Sequence, residues 1–232
     1  MDKYVLIVAG GKGLRMGGDL PKQFIPMRGK PLLMHTLEAF HRWDASARII
    51  LVLPEDHQPY WNMLCKEIGC KVPHAIVKGG DTRFFSVKNG LDWLLAEMRR
   101  KGEEDSGLSL VAVHDGVRPF VSPEVVEACF DKAAVTGAVI PVVPMIDSLR
   151  ETDEKGSHPV DRSRYMAVQT PHVFLLELLT KAYEQPYSSL FTDDASVVEA
   201  MGHAIDTVPG DRENIKITTP FDLLIAEAMF AR

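Results

Sequence analysis

The sequence predicts an α/β fold built on a doubly wound, mostly parallel sheet with a projecting β-hairpin arm. Short apolar runs rich in Val, Ile and Leu alternate with longer segments whose apolar residues recur at helical spacing. Runs of the first kind are typical of parallel strands that are buried on both faces. Their alternation with helical segments favours a sheet that carries helices on both sides.

The predicted elements follow one another in a regular order. The expected strands are Tyr4–Ala9, Arg48–Leu53, Lys71–Val77, Ser109–His114 and Ala138–Val143, of which the third has the weakest pattern. The expected helices are Pro31–Phe40, Gln58–Ile68, Phe84–Arg100, Pro123–Ala134, Leu175–Tyr183, Ala195–Met201 and Phe221–Phe230. Pro31 stands at a plausible first helical position, and a Thr-Thr-Pro start signal precedes the last helix.

A polar segment interrupts this alternation at about residues 145–166. Alternating residues around a central Glu-Lys-Gly-Ser sequence predict a β-hairpin that projects from the domain as an arm. The charged run Arg99–Gly107 is expected to be a surface loop. A length of 232 residues suits one α/β domain with a modest appendage, so residues 1–232 are expected to form one domain that includes the arm.

The composition narrows the class of protein. A net charge of −6 argues against a general nucleic-acid binder, which normally carries a basic face. The three cysteines form no CxxC pair, which is typical of free thiols in a reducing compartment. No stretch approaches the ~18 apolar residues that a membrane span needs. We therefore expect a soluble, cytoplasmic protein with no nucleic-acid or membrane partner.

The first predicted strand runs directly into a basic, glycine-rich loop, GGKGLRMGG at residues 10–18. Its five glycines allow successive backbone N–H groups to point at one anion. Lys12, Arg15 and Lys22 add positive charge, and only Asp19 opposes it. Because α/β folds bind phosphates at the carboxyl end of the sheet, this loop predicts a phosphate site.

Two common phosphate loops do not fit this pattern. A Walker A loop needs Ser or Thr after a GxxxxGK sequence, and none is present. Met16 occupies the third glycine position of the dinucleotide fingerprint, and the acidic residue expected about twenty residues later is missing. The sequence therefore disfavours a nicotinamide-dependent enzyme.

The loop, together with PKQF at residues 21–24, resembles that of the nucleotidyltransferases that activate sugars and alcohols. Within them it is similar to the 2-C-methyl-D-erythritol 4-phosphate cytidylyltransferases of the non-mevalonate isoprenoid pathway. The resemblance extends along nearly the whole chain, through GGDTRFFSVKNGL (79–91), HDGVRPF (114–120), DR (161–162), QTPH (169–172), TDDAS (192–196) and NIK (214–216). It implies an enzyme that joins CTP to a polyol phosphate, uses Mg²⁺ and releases pyrophosphate. Such a reaction needs positioned cations and no nucleophilic side chain, because the acceptor phosphate is itself the nucleophile.

The resemblance also implies roles for particular residues. The implied catalytic residues are Arg15, Lys22, Arg162 and Lys216. The implied nucleotide-binding residues are Ala9, Gly10, Gly11, Gly13, Gly80, Asp81, Ser86 and Asp115. The implied acceptor-binding residues are Arg118, Ser148, Arg162, Thr170, Thr192 and Lys216. Asp115 is also the candidate ligand of Mg²⁺, an ion that prefers oxygen donors.

In the family that this chain resembles, the arm interlocks with that of a second subunit. The resemblance therefore implies a homodimer in which Arg162 serves the partner's site. The sequence departs from the family pattern at Gly116, where many relatives have Ala, and at Ser148, where the pattern has Thr.

Several alternatives stay open at this point. Taken alone, Ser86 could be a helix-surface hydroxyl, Arg83 a solvated first-turn residue and Arg162 a salt-bridged arm residue. His114 is expected to pack at a strand end and not to act as a base. For the whole chain, the alternatives are a ribitol-5-phosphate cytidylyltransferase, which shares most of these motifs, and a catalytically silent nucleotide-binding module.

Overall fold

The computed structural model describes residues 1–10, 20–103 and 108–231, and it has the predicted α/β architecture. The strands are β1 Lys3–Val8, β2 Pro26–Met27, β3 Lys30–Pro31, β4 Arg48–Leu53, β5 His74–Lys78, β6 Leu110–Asp115, β7 Ala138–Pro144, β8 Leu149–Asp153, β9 Gly156–Val160, β10 Met166–Val168, β11 His172–Leu175 and β12 Asp206–Pro209. The helices are α1 Leu32–Trp43, α2 Gln58–Ile68, α3 Arg83–Lys101, α4 Pro123–Thr136, α5 Leu176–Ala182, α6 Asp194–Glu199 and α7 Pro220–Phe230.

Eight of the strands form one sheet in the order β10-β7-β11-β6-β1-β4-β5, with β12 paired to β7. The four strands β6, β1, β4 and β5 are parallel, which confirms the predicted core of the sheet. β11 runs antiparallel to both β6 and β7, and β10 runs antiparallel to β7. β7 therefore keeps the direction of the parallel strands but is separated from them by β11, a strand that the sequence pattern did not predict.

Alternate residues of the central strands face opposite sides of the sheet. In β1, Val5 and Ile7 pack in a core with α1, α2 and α4, whereas Tyr4 and Leu6 pack in a second core with α3, α5 and α6. All four side chains are fully buried. The doubly wound arrangement thus follows from strands that are apolar at nearly every position, because neither face can be left to solvent.

The predicted element boundaries need small corrections. Pro31 precedes α1 and does not open it, since the helix begins at Leu32. The helix α3 continues to Lys101 and ends at Gly102 with a φ of 69°, so the first residues of the predicted surface loop are helical. Residues 104–107 of that loop lie outside the described residues.

The predicted hairpin is present as β8 and β9, which form a two-stranded sheet of their own. Its strands pair from Leu149 with Val160 to Asp153 with Gly156, and most of its residues are exposed. The role of this hairpin in forming a dimer stays a prediction. Within the part of the chain that the structure describes, no helix combines the length and apolar character needed to cross a bilayer.

Candidate active site

A cleft lies at the carboxyl ends of β1 and β6. The chain leaves β1 towards β4 on one side, and β6 lies on the other side, so the cleft occupies the switch point where α/β folds bind ligands. Eight predicted site residues line it: Ala9, Gly10, Lys22, Gly80, Asp81, Ser86, Asp115 and Lys216. Three other predicted residues, Gly11, Gly13 and Arg15, lie outside the described residues.

Asp115 ends β6, and its carboxylate pairs with two cations. The Lys216 Nζ atom lies 3.0 Å from Oδ2, and the Arg118 Nε atom donates to the same oxygen at 3.2 Å. Burial by itself would raise the pKa of Asp115, but the charges of Lys216, Arg83 and Arg118 outweigh it and hold the pKa well below its usual range. The ionised carboxylate therefore holds the Lys216 ammonium in the cleft.

Behind Asp115, a chain of hydrogen bonds fixes the end of β6. The Asp115 N–H donates to the Thr170 hydroxyl at 3.1 Å, and that hydroxyl lies 3.1 Å from His114 Nδ1. His114 Nε2 faces the Arg118 carbonyl at 3.1 Å, so it must carry the proton, and Nδ1 must accept from Thr170. Burial lowers the pKa of His114 to about 3, which keeps the ring neutral in this arrangement. His114 is thus a packed strand-end residue, as the sequence indicated.

The segment that carries Lys216 is anchored on both sides of that residue. The Asn214 side chain donates to the Thr170 carbonyl at 2.8 Å, and the Asn214 carbonyl accepts from Arg118 Nη1 at 2.7 Å. The Ile217 N–H donates to the Val117 carbonyl at 3.0 Å, and the Ile217 side chain is fully buried. Lys216 therefore projects from a rigid stretch of backbone, which limits the volume that its ammonium can sample.

The turn before α3, residues 79–82, forms the other side of the cleft. The Ser86 hydroxyl donates to the Thr82 carbonyl at 2.9 Å and accepts from the Gly80 N–H at 3.1 Å. Ser86 is 3% exposed, so it is not a helix-surface residue; it holds the turn in shape. A Cβ atom on Gly80 would lie 2.4 Å from Cβ of Phe85, so only glycine fits at this point of the turn.

Five residues that the sequence analysis did not assign also line the cleft: Val8, Gln23, Thr82, Arg83 and Val117. Gln23 is 1% exposed and its Nε2 atom donates to the Ala9 carbonyl at 3.0 Å, so it fixes the backbone where β1 enters the glycine loop. Its position directly after Lys22 was the feature of the sequence that could have indicated a role at the site. A glutamine in a loop has no pattern that distinguishes a buried role from an exposed one.

Arg83 is held by a fully buried carboxylate. Its Nη1 and Nη2 atoms donate to the two oxygens of Asp194 at 2.7 and 2.6 Å. Asp194 also accepts from the Tyr183 hydroxyl at 2.6 Å and lies 2.9 Å from His172 Nδ1. Arg83 is therefore fixed in position at the wall of the cleft and is not a solvated first-turn residue. The two partners are 111 residues apart, so no local sequence pattern connects them.

Gly116, where the sequence departs from the family pattern, lies at the end of β6 and close to Ala9 at the end of β1. A Cβ atom on Gly116 would lie 2.8 Å from Cβ of Ala9 and 3.0 Å from Cδ1 of Leu33. In this chain the backbone at Gly116 thus approaches the site residue Ala9 more closely than an alanine would permit.

The remaining predicted acceptor-binding residues do not line this cleft. Arg118 and Thr170 are buried beneath it through the contacts described above. Ser148, Arg162 and Thr192 are exposed, and Arg162 donates to the Ile146 carbonyl at the base of the hairpin. Their contacts with an acceptor stay predictions.

A metal ion at this site would depend on Asp115 and on the ligand itself. Within residues 1–10, 20–103 and 108–231, no group of three or more His, Cys, Asp or Glu side chains could hold a metal. Mg²⁺ is commonly bound through one or two carboxylates together with substrate phosphates and water. The Asp115 carboxylate at this cleft fits that mode of binding.

Comparison with known proteins agrees with this geometry. The family described as IspD, 2-C-methyl-D-erythritol 4-phosphate cytidylyltransferase, matches residues 4–232. Proteins named 2-C-methyl-D-erythritol 4-phosphate cytidylyltransferase are 55% identical in Bacteroides fragilis, over 99% of this chain and 100% of that protein, and 51% identical in Porphyromonas gingivalis, over 98% and 97%.

Two solved structures are similar over the whole chain. The enzyme of the same name from Thermus thermophilus is 31% identical with a TM-score of 0.73, and covers 100% of both chains. The 4-diphosphocytidyl-2C-methyl-D-erythritol synthase from Anaerococcus prevotii is 28% identical with a TM-score of 0.79, and covers 100% of this chain and 96% of that one. The match of sequence, fold and cleft leads to one conclusion: this chain belongs to the 2-C-methyl-D-erythritol 4-phosphate cytidylyltransferase family.

Proposed function

We propose that this chain transfers CMP from CTP to 2-C-methyl-D-erythritol 4-phosphate, in the synthesis of isoprenoid precursors. A phosphate oxygen of the acceptor attacks the α-phosphorus of CTP, the bond to the β-phosphate breaks, and pyrophosphate leaves. The products are 4-diphosphocytidyl-2-C-methyl-D-erythritol and pyrophosphate. The observation that carries the proposal is that Gly10, Lys22 and Lys216 line one cleft at the carboxyl ends of β1 and β6.

Cations and N–H donors offset the negative charge that opposes this reaction. Both reactants are anions, and negative charge develops on the transferring phosphoryl group and on the leaving pyrophosphate. Lys22 and Arg15 would contact the triphosphate, and Lys216 would reach the acceptor phosphate. Because Asp115 stays ionised, it orients Lys216 before substrate arrives, so little reorganisation is needed at the moment of reaction.

The turn before α3 supports the binding of the cytidine part. Gly80 and Asp81 lie at the cleft, and Ser86 fixes their backbone. A backbone turn of this kind can present N–H and C=O groups to the edge of a base, and the missing Cβ of Gly80 lets the turn pack directly against Phe85. When bound, Mg²⁺ would be held by Asp115 and would offset charge on the phosphates.

The proposal extends to a homodimer in which the hairpin β8–β9 reaches the partner subunit. Arg162 and Ser148 lie on or beside the hairpin and away from the cleft of their own chain. This arrangement supports a role for both residues in the partner's acceptor site. The three free cysteines and the absence of a CxxC pair from the sequence are consistent with the cytoplasmic location that we propose.

The assay that tests the function offers the chain CTP and Mg²⁺ with either 2-C-methyl-D-erythritol 4-phosphate or ribitol 5-phosphate. We expect pyrophosphate release with the first acceptor and a much lower kcat/KM with the second. A preference for ribitol 5-phosphate would replace the proposed acceptor. If neither acceptor released pyrophosphate while CTP still bound, the chain would be a silent nucleotide-binding module.

A further inference from the structure

A pair of cysteines lies outside the cleft, at the carboxyl end of α2. Gly69 ends this helix with a φ of 74°, in the left-handed region where glycine is favoured. The N–H groups of Gly69 and Cys70 both donate to the Cys65 carbonyl, at 3.0 and 2.9 Å. The second bond spans six residues and is the defining bond of a Schellman motif.

This motif brings the two cysteine side chains together. In a Schellman motif, the residues at the positions of Cys65 and Cys70 commonly make a hydrophobic contact across the end of the helix. A hydrogen bond of 2.9 Å between their backbones places the two Cα atoms roughly 5–6 Å apart, within the range that a disulfide spans. The two thiols lie close enough for each to shift the pKa of the other.

The two thiols are not equivalent. Interaction with the neighbouring Cys65 thiol lowers the pKa of Cys70, burial opposes this, and a hydrogen bond from the Val72 N–H lowers it further. Interaction with Cys70 and burial raise the pKa of Cys65, and no backbone donor of the described residues lowers it. Because the thiolate is the reactive form, we expect Cys70 to be the attacking thiol.

The two cysteines lie at the edge of the core and are partly open to solvent. Both cysteines are half-buried, and the residues around them, 66–69 and 71, are exposed. The third cysteine, Cys129, lies on the core-facing side of α4 and is fully buried, and burial raises its pKa to about 12. The fold thus separates one accessible thiol pair from one inert thiol.

We propose that Cys65 and Cys70 form a thiol–disulfide exchange site that reacts with small disulfides such as oxidised glutathione. The Cys70 thiolate attacks one sulfur of the reagent, the reagent's S–S bond breaks, and one thiolate leaves. Cys65, after losing its proton to solvent, attacks Sγ of Cys70 and expels the second thiolate. The two protein thiols are oxidised to one disulfide, and the small disulfide is reduced to two thiols.

The test uses oxidised glutathione, intact-mass spectrometry and peptide mapping on the full chain. We expect the wild type to lose the mass of two hydrogens, with the bond mapped to Cys65 and Cys70. Cys65→Ser should accumulate one glutathionyl group on Cys70, because the resolving thiol is gone. Cys70→Ser should react at least about tenfold more slowly than Cys65→Ser, since the remaining thiol is the weaker nucleophile.

Each outcome has a clear meaning, and none depends on transferase activity. Circular dichroism establishes that both serine variants are folded, and the same reaction in guanidinium measures the rates that the unfolded chain gives. The proposal is supported if the two serine variants react at different rates in the native protein and at similar rates in guanidinium. It is overturned if the wild type keeps both thiols, if Cys129 reacts as fast, or if the two serine variants react at equal rates.

Discussion

Replacing Asp194 by Asn tests whether the buried ion pair with Arg83 holds the wall of the cleft. Asp194 is fully buried, and both of its oxygens accept from Arg83 as well as from a second group. Asn has the same shape as Asp but no charge. Its NH₂ group replaces one carboxylate oxygen, so a donor would stand where the neighbouring donors need an acceptor. The Arg83 guanidinium would then keep its charge without a partner.

The magnitude follows from the burial of the two partners. Removing one member of a buried ion pair costs about 3–5 kcal/mol. Because the Arg83 side chain is 29% exposed, water can offset part of this, and we expect a loss of about 3 kcal/mol in the free energy of unfolding. Total stabilities of about 5–15 kcal/mol leave such a variant folded at 25 °C. The expected decrease of the urea midpoint is about 1 M, for a slope near 3 kcal/mol per M.

The assay is urea unfolding followed by tryptophan fluorescence, with two matched controls. Asp193→Asn changes the neighbouring carboxylate, which caps α6 by accepting from the Ser196 N–H at 2.8 Å. Asn is an equally good cap, so its effect should stay below about 0.5 kcal/mol. Adding Arg83→Met to Asp194→Asn removes the orphaned charge and should recover part of the loss. Equal effects of Asp193→Asn and Asp194→Asn, or strict additivity in the double variant, would refute the ion-pair argument.

The remaining predictions concern the cleft. Lys22→Ala should lower turnover by about two to three orders of magnitude, measured as pyrophosphate release, since it removes one donor to the transition state; near-normal turnover would exclude it from the mechanism. Mixing Lys22→Ala and Arg162→Ala subunits should restore about a quarter of wild-type activity if Arg162 serves the partner's site in a symmetric dimer. Gly116→Ala should destabilise the protein by about 1–3 kcal/mol in urea unfolding, because its Cβ would overlap Ala9. His114 should stay neutral at pH 5 in an NMR titration, and stability should fall as the pH drops from about 6.5 towards 3, because the unfolded chain binds a proton there that the folded chain does not.

Much of the fold could be predicted from local pattern. Strands such as β1 and β4 are apolar at nearly every position, and this is sufficient to place them between two layers of helices. β11 could not be predicted in this way. Its four residues are too short for a periodic signal, and it is fixed by pairing with β6 and β7, which lie far away in the sequence.

The sequence by itself predicted the types of residue at the site, and the tertiary structure decided which of the described residues reach the cleft. Gly10, Lys22, Asp115 and Lys216 could be named from motifs, and all four line the cleft. The partnership of Arg83 with Asp194 and the internal use of the Thr170 hydroxyl could not. Both contacts depend on which buried groups the folded chain brings together. A buried charge or hydrogen-bond donor needs a partner, but that partner can come from any part of the sequence.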